Sequence, residues 1–212
     1  MKVKNPFKPI LASVLDDYDG SIPEDGRLRD LELNNTELKV LSMERMEFNG
    51  VRFNNVNFFE CDLKQLQIID CRFENCDFSN LKAPSALLYR SEFIDCKGIG
   101  ADFKKSSLRY CTFDNCKLAY IDFSSSKMEN VIFKRCDFTM GALSQSVLSS
   151  MTLSYCNLDE VELMDTPLNG LDVSTCSINH ILFSANQLRG ITVSSEQAVA
   201  LISLFGIKIK DE

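Results

Sequence analysis

All nine cysteines of this 212-residue chain stand at positions ending in 1 or 6: Cys61, Cys71, Cys76, Cys96, Cys111, Cys116, Cys136, Cys156 and Cys176. They share one phase of a five-residue period, and an internal period constrains a chain before composition does. The other phases obey it. Of the 34 positions ending in 3 or 8 between Leu28 and Val193, 33 are apolar, Gly98 is the exception, and 12 of the 15 phenylalanines fall among them. Two residues earlier, the cysteine phase holds small or apolar residues, with Asn186 its one bulky polar member. The remaining three phases carry most of the charge. Five matches neither the 3.6 of a helix face nor the 2.0 of an alternating strand.

A backbone with two inward positions in every five needs a short extended piece, which points residues i−2 and i to the same side. Here i denotes the positions ending in 3 or 8. Residues i+1 and i+2 then turn outward before the next piece begins. Four such pieces close one coil. Cys76, Cys96, Cys116, Cys136, Cys156 and Cys176 form an unbroken series, each one such coil after the last, and so make a ladder on one wall. Coils stacking like parallel strands at ~4.8 Å predict about eight coils over 28–193 and a rod of roughly 40 Å. An end coil cannot bury its open face alone, so both ends need caps. Residues 1–27, with Pro6, Pro9 and Pro23, are the expected N-terminal cap, 28–193 the coil, and 194–212 a C-terminal helix and tail. Ser194 with Gln197 reads as a capping box and Gly206 as a helix stop, followed by the strand-like Ile207-Lys208-Ile209.

Cys61-Asp62-Leu63, Cys76-Asp77-Phe78, Ala101-Asp102-Phe103, Cys136-Asp137-Phe138 and Cys156-Asn157-Leu158 resemble the A-(D/N)-L-x-x pattern of the pentapeptide-repeat family. Cys often stands for Ala here, and Phe for Leu. The resemblance runs from Leu28 to Val193 and implies an all-β, right-handed quadrilateral parallel β-helix. Within that family, the Cys- and Phe-rich coils and the closing segment Ile191 to Ala198 are similar to the Qnr-type quinolone-resistance proteins, particularly the chromosomal ones of Gram-positive bacteria. That likeness implies a homodimer joined through the C-terminal helix. It also implies a non-enzymatic protein that binds DNA gyrase and topoisomerase IV as a DNA mimic and relieves quinolone inhibition. Several such members carry loops that interrupt the register. In this chain the phase never slips between Leu28 and Val193. Ala83-Pro84 and Gly98-Ile99-Gly100 are its irregular points, expected to bend or thin the rod.

A net charge of −7 disfavours direct nucleic-acid binding and leaves room for an acidic recognition surface. From Cys136 to Gln187 there is no lysine or arginine, while Asp137, Asp159, Glu160, Glu162, Asp165 and Asp172 all fall there. Asp62, Asp102, Asp122 and Glu162 share the i−1 phase and one coil-spaced column, with Lys82 and Ala142 between them. These nine acids are the candidate partner-binding surface. A duplex of ~80 Å, the length of two rods, carries roughly 50 phosphate charges. Two chains carry only twice −7. Overall charge density therefore cannot imitate DNA, and a local acidic patch on a rod would have to. Asp or Asn at i−1 can equally hydrogen-bond the backbone of the turn that follows.

Metal and catalytic signatures are missing from this pattern. The closest cysteine pairs are five residues apart rather than spaced as zinc ligands, so small buried thiols are expected, and neither a metal nor a cofactor. Reduced cysteines fit a cytoplasmic protein. His180 is the one histidine, at an outward position with no acid beside it in sequence, which leaves no triad and no enzyme. No apolar run approaches the roughly 20 residues of a membrane span. The stretch Pro9 to Leu15 is brief and runs into Asp16-Asp17, so no secretory leader is expected. The helix after Ser194 reads either as a lid on the last coil or as a dimer contact through Val199, Leu201, Ile202, Leu204 and Phe205. A competing function is that of a scaffold binding some other protein through exposed Tyr120, Met140 and their neighbours.

Overall fold

The structure is a computed structural model and describes residues 8–204. From Arg27 the chain winds as a coil of four walls, five residues to a wall. The first wall is a parallel sheet of seven strands, from Arg27–Arg29 and Glu47–Asn49 up to Lys127–Glu129 and Val147–Ser149. The second is a parallel sheet of eight, from Asp16–Asp17 and Leu31–Asn34 up to Thr152–Ser154. Pairing advances by one coil at each step, as in Phe48↔Ile68 and Phe53↔Phe73. The third and fourth walls are held by single parallel bridges, Asn57↔Asp77 and Asp62↔Lys82 among them. The protein is thus an all-β parallel solenoid closed by one short helix, Ser195–Leu204.

One hydrogen-bond rule builds every wall. The i−1 amide donates to a carbonyl of the preceding coil (Asp62 N to Leu41 O, 2.8 Å). The i and i+2 amides donate to carbonyls of the following coil (Leu63 N to Lys82 O, 2.7 Å; Gln65 N to Pro84 O, 3.0 Å). These three amides of each wall are satisfied between coils rather than within them. Corners follow a second rule. Among the described residues, all 27 non-glycine residues with positive φ stand at numbers ending in 0 or 5, the i+2 phase. On the third and fourth walls an i→i+3 bond closes the corner (Leu81 N to Phe78 O, 3.0 Å), a type II geometry that requires positive φ at its third residue. Asn35, Asn55, Asn75 and Asn115 suit that conformation. Val40, Tyr120 and Met140 adopt it at a cost of ~1–2 kcal/mol each, held there by coil-to-coil bonds such as Tyr120 N to Thr139 O at 2.9 Å.

The i side chains fill the axis. Phe53, Phe73, Phe93, Phe113 and Phe133 stack up the second wall, with ring centroids 4.5–4.7 Å apart. Phe58 and Phe78 meet that column edge-on. The smaller side chains of the i−2 phase form two polar ladders. Thiols on the third wall reach carbonyls of the preceding coil, as Cys116 Sγ does to Phe93 O at 3.4 Å. Buried hydroxyls at the entry to the first wall, Ser106, Ser126, Ser146 and Thr166, each accept an amide proton from the coil below. Ser146 also donates to Phe123 O at 3.0 Å.

The regular part is shorter than the expected eight coils. Six turns separate the first and last strands of the seven-stranded wall, and beyond Ser154 only bridges persist, up to Asp172↔Thr192. The cause is local. Pro167 occupies the place that would follow Val147 and has no N–H to donate to the coil below. Ala83 and Gly98 do not interrupt the winding, since their amides donate to Asp102 O and Lys117 O, both at 2.8 Å. Leu118 leans into the room left at Gly98, where a Cβ would lie 3.1 Å from its Cδ2.

At the N-terminal end, Asp16↔Leu31 pairs positions closer in sequence than one full coil, so the entering chain omits one wall. Ile10 N then donates to Asp70 Oδ1 at 2.9 Å, which places the segment before Asp16 along the corner between the first and second walls. At the other end two glutamines take over from the backbone. Gln197 closes the capping box with Ser194 and sends its amide to Val173 O and Cys176 O at 2.9 and 2.7 Å. Gln187, earlier in the chain, does the same to Leu163 O and Thr166 O, both at 2.9 Å. Each replaces the wall amide that a chain turning into helix no longer supplies. The expected strand at Ile207-Lys208-Ile209 and the stop at Gly206 lie outside the described residues.

Phe73 is fully buried at the centre of the aromatic column. Phe73→Ala is expected to destabilise the protein by ~3–5 kcal/mol, read as a lowered urea midpoint in equilibrium denaturation.

Candidate partner-binding surface

The fourth wall brings the predicted column together. Asp62, Lys82, Asp102, Asp122, Ala142 and Glu162 succeed one another as bridged neighbours on consecutive coils. Its lower half is not free acid, however. Lys64 Nζ lies 3.7 Å from Asp62, and Lys104 Nζ lies 3.1 Å from Asp122. Asp102 Oδ1 accepts from Lys104 N and Asp122 Oδ1 from Ser124 N, both at 2.9 Å. These two are corner caps, the alternative role open to an i−1 carboxylate. With Lys82 between Asp62 and Asp102, this half of the column has little net field.

The C-terminal acids differ. None of Asp137, Asp159, Glu160, Glu162, Asp165 and Asp172 takes part in an ion pair among the described residues. Asp137 Oδ1 accepts from Thr139 N and Oγ1 at 3.1 and 2.6 Å, and Asp172 Oδ1 from Ser174 N and Oγ at 2.9 and 2.7 Å. Both are corner caps that still carry an uncompensated charge. Asp159 accepts from Ser177 Oγ at 2.5 Å and from Asn179 N at 2.8 Å, tying two coils together. Glu160 stands at a left-handed corner, with φ of 59°. Glu162 and Asp165 are exposed on the fourth wall; Asp165 stands at a left-handed corner, with φ of 56°, and neither carboxylate caps a turn. The acidic surface is therefore concentrated in the last coils and spread over the second, third and fourth walls.

The helix Ser195–Leu204 lies over the end of the coil. Leu201 is buried against it, so its side chain belongs to the lid rather than to an exposed dimer face. Val199 and Ile202 face outward, 51% and 38% exposed. Phe205 and the side chain of Leu204 lie outside the described residues. A cavity of about 570 Å³ between helix and coil is lined in part by Cys176, His180, Leu182 and Leu201.

Electrostatics fix the behaviour of these groups. His180 is close enough to Asp159 to favour its charge, a neighbour contributed by the adjoining coil and invisible along the chain. Partial burial pushes the Asp159 carboxyl up, but hydrogen bonds from Ser177 and Asn179 outweigh it and hold the group below the usual carboxylate range. The Ser174 hydroxyl and amide hold Asp172 below it as well. Burial pushes the Cys71 and Cys111 thiols up to about 12. Among the described residues no cluster of three or more His, Cys, Asp or Glu could hold a metal ion. No helix there is long and apolar enough to cross a membrane.

A carboxylate whose pKa is lowered by folding stabilises the protein above the ordinary carboxylate range and loses that contribution as pH falls through its folded-state value. Asp159→Asn is expected to lower neutral-pH stability by ~1 kcal/mol and to flatten the acid limb, followed by thermal unfolding across pH. At pH 7 a thiol with pKa near 12 is ionised only to ~10⁻⁵, so native protein is expected to leave Ellman's reagent unreacted at Cys71 and Cys111. All nine cysteines should titrate once the protein is unfolded.

The family model for the pentapeptide repeat region matches residues 66–143. No curated protein matches the chain. Among solved structures, a trypsin-treated form of QnrB1, a plasmid-mediated fluoroquinolone resistance protein, is 17% identical, with 87% of this chain and 100% of that one covered and a TM-score of 0.37. HetL, a pentapeptide repeat protein involved in heterocyst differentiation regulation in the cyanobacterium Nostoc, is 14% identical over 80% of this chain and 90% of its own, at a TM-score of 0.36. A pentapeptide repeat protein from the Arabidopsis thaliana thylakoid lumen is 10% identical over 64% and 68%, at 0.26. Residues 66–143 are thus a pentapeptide repeat region, and its five-residue register continues on both sides, from Leu28 to Val193.

Proposed function

We propose that this protein is a non-enzymatic, cytoplasmic binding protein that occupies the DNA-binding surface of type II topoisomerases, DNA gyrase and topoisomerase IV, and so protects them from quinolones. The observation that carries the reading is the run from Cys136 to Gln187, which holds six acids and no lysine or arginine. A DNA-binding saddle recognises fixed negative charge on a stiff, narrow body, and charge complementarity of that kind speeds encounter and sets register. The recognition residues are Glu162 and Asp165, with Asp159 and Glu160 on the adjoining third wall and Asp172 on the second. Asp62, Asp102 and Asp122 contribute less, because lysines accompany them. Homodimerisation through the outward Val199 and Ile202 of the C-terminal helix would double the acidic band across the middle of a longer rod.

A second reading, a scaffold for another protein partner, has Tyr120 and Met140 in its favour, exposed by 58% and 42% on successive corners of one edge.

Supercoiling assays with purified gyrase and ciprofloxacin separate the two. Wild-type protein is expected to bind gyrase and restore supercoiling. Glu162→Lys with Asp165→Asn is expected to weaken binding at least about tenfold and to leave the unfolding midpoint unchanged, since neither carboxylate caps a turn and asparagine suits the left-handed corner at 165. Absence of binding and of rescue at every drug concentration defeats the topoisomerase reading. Unchanged binding by the double variant moves the contact away from these acids.

A further inference from the structure

The third wall carries a charge pattern of which the topoisomerase reading uses only the acids. Read up the coils, its bridged column runs Asp77, Lys97, Lys117, Asp137, Asn157. Lys97 and Lys117 are exposed neighbours on successive coils, and neither takes part in an ion pair among the described residues. Like charges side by side are unfavourable. Asp137 is the next residue up from Lys117, yet its Oδ1 is engaged by Thr139. At the edge of the same wall stand Tyr120 and Met140, 58% and 42% exposed, again on successive coils. The bias extends to whole segments. Residues 82–135 hold ten Lys or Arg against six Asp or Glu, and residues 136–187, a span of nearly equal length, hold six acids and no Lys or Arg.

We propose that this wall is a self-association face, on which two copies of the chain pair side by side with their rods antiparallel. A two-fold axis lying in the wall, at right angles to the rod and midway between the coils of Lys117 and Asp137, maps each column onto itself with the order of coils inverted. Lys117 then meets the partner's Asp137, and Tyr120 meets the partner's Met140. Lys97 meets the partner's Asn157, within reach of the partner's Asp159 and the partner's Glu160 on the same wall. Symmetry makes every contact twice. The basic segment of each rod faces the acidic segment of the other because the two spans match in length. Rods set parallel bring no acid to Lys97 or Lys117.

The occupant is a second copy rather than an unrelated polyanion because the complementary acids and the matching apolar pair lie on the same wall. Four coils at ~4.8 Å give a contact only ~19 Å long. It is therefore at the small end of specific interfaces, weak and weakened further by salt. The face does not depend on topoisomerase binding, since Glu162 and Asp165 lie on the fourth wall and stay open.

Sedimentation equilibrium of the full chain at low and high salt tests the proposal. Wild type is expected to associate with rising concentration at low salt, beyond any dimer made through the C-terminal helix, and to lose that added step in high salt. Lys117→Asp and Asp137→Lys singly are each expected to weaken association at least about tenfold, and the two together to restore it, because the exchanged charges again face each other. Circular dichroism checks that each variant keeps its fold. The proposal is overturned if wild type shows no concentration dependence, if the single variants associate like wild type, or if a folded double variant fails to recover. Association that ignores these exchanges but disappears on Val199→Asp with Ile202→Asp also overturns it, and assigns the contact to the helix end. Association that Lys117→Asp abolishes and Asp137→Lys leaves intact overturns it in favour of some other anionic occupant.

Discussion

Everything in this protein depends on hydrogen bonds between consecutive coils. Because most wall amides find their carbonyls on a neighbouring coil, the chain cannot slip by a single position without losing its ladder and turning its core outward. That constraint forces the corner into the left-handed region at every fifth residue, whatever side chain stands there. It also puts residues one coil apart in direct contact, so that phenylalanines stack ring on ring and hydroxyls pass hydrogen bonds from coil to coil. Sequence separation and spatial separation are decoupled in a regular way. A column of side chains becomes the natural unit of both packing and surface.

Columns are also the unit in which charge is organised. A single aspartate at the start of a corner has two uses, capping the turn and carrying a charge, and the structure shows both at once in Asp137 and Asp172. What decides whether such an acid contributes to a field is the neighbouring coil. Asp122 has Lys104 beside it, whereas Glu162 and Asp165 have no cation near enough to pair among the described residues. The acidic character of the last coils therefore comes from a missing set of lysines more than from an excess of acids.

The winding was legible because burial repeats: 33 of 34 axial positions are apolar, and six cysteines stand a coil apart. The column of Asp62, Asp102, Asp122 and Glu162 was legible for the same reason. Its neutralisation was not, because Lys64 and Lys104 sit in outward phases whose partners depend on side-chain reach. The end of the regular sheets was written in Pro167, whose missing amide matters only once the ladder direction is known. Gln187 and Gln197 were legible only in part. Ser194-x-x-Gln197 shows a capping box, but the amide's second task, covering the carbonyls of Val173 and Cys176, needs the coil below. Leu201 reads as an interface residue on an isolated helix and becomes a lid residue once the helix lies on the coil. His180 gains Asp159 as a neighbour in the same way.

The winding itself is tested most directly by locating sulfur. Anomalous diffraction near the sulfur edge is predicted to show the Sγ atoms of Cys76, Cys96, Cys116, Cys136, Cys156 and Cys176 in one straight file, one coil rise of ~4.8 Å apart. Sulfur positions scattered over several walls, or spaced irregularly along the axis, would contradict a coil of four five-residue walls.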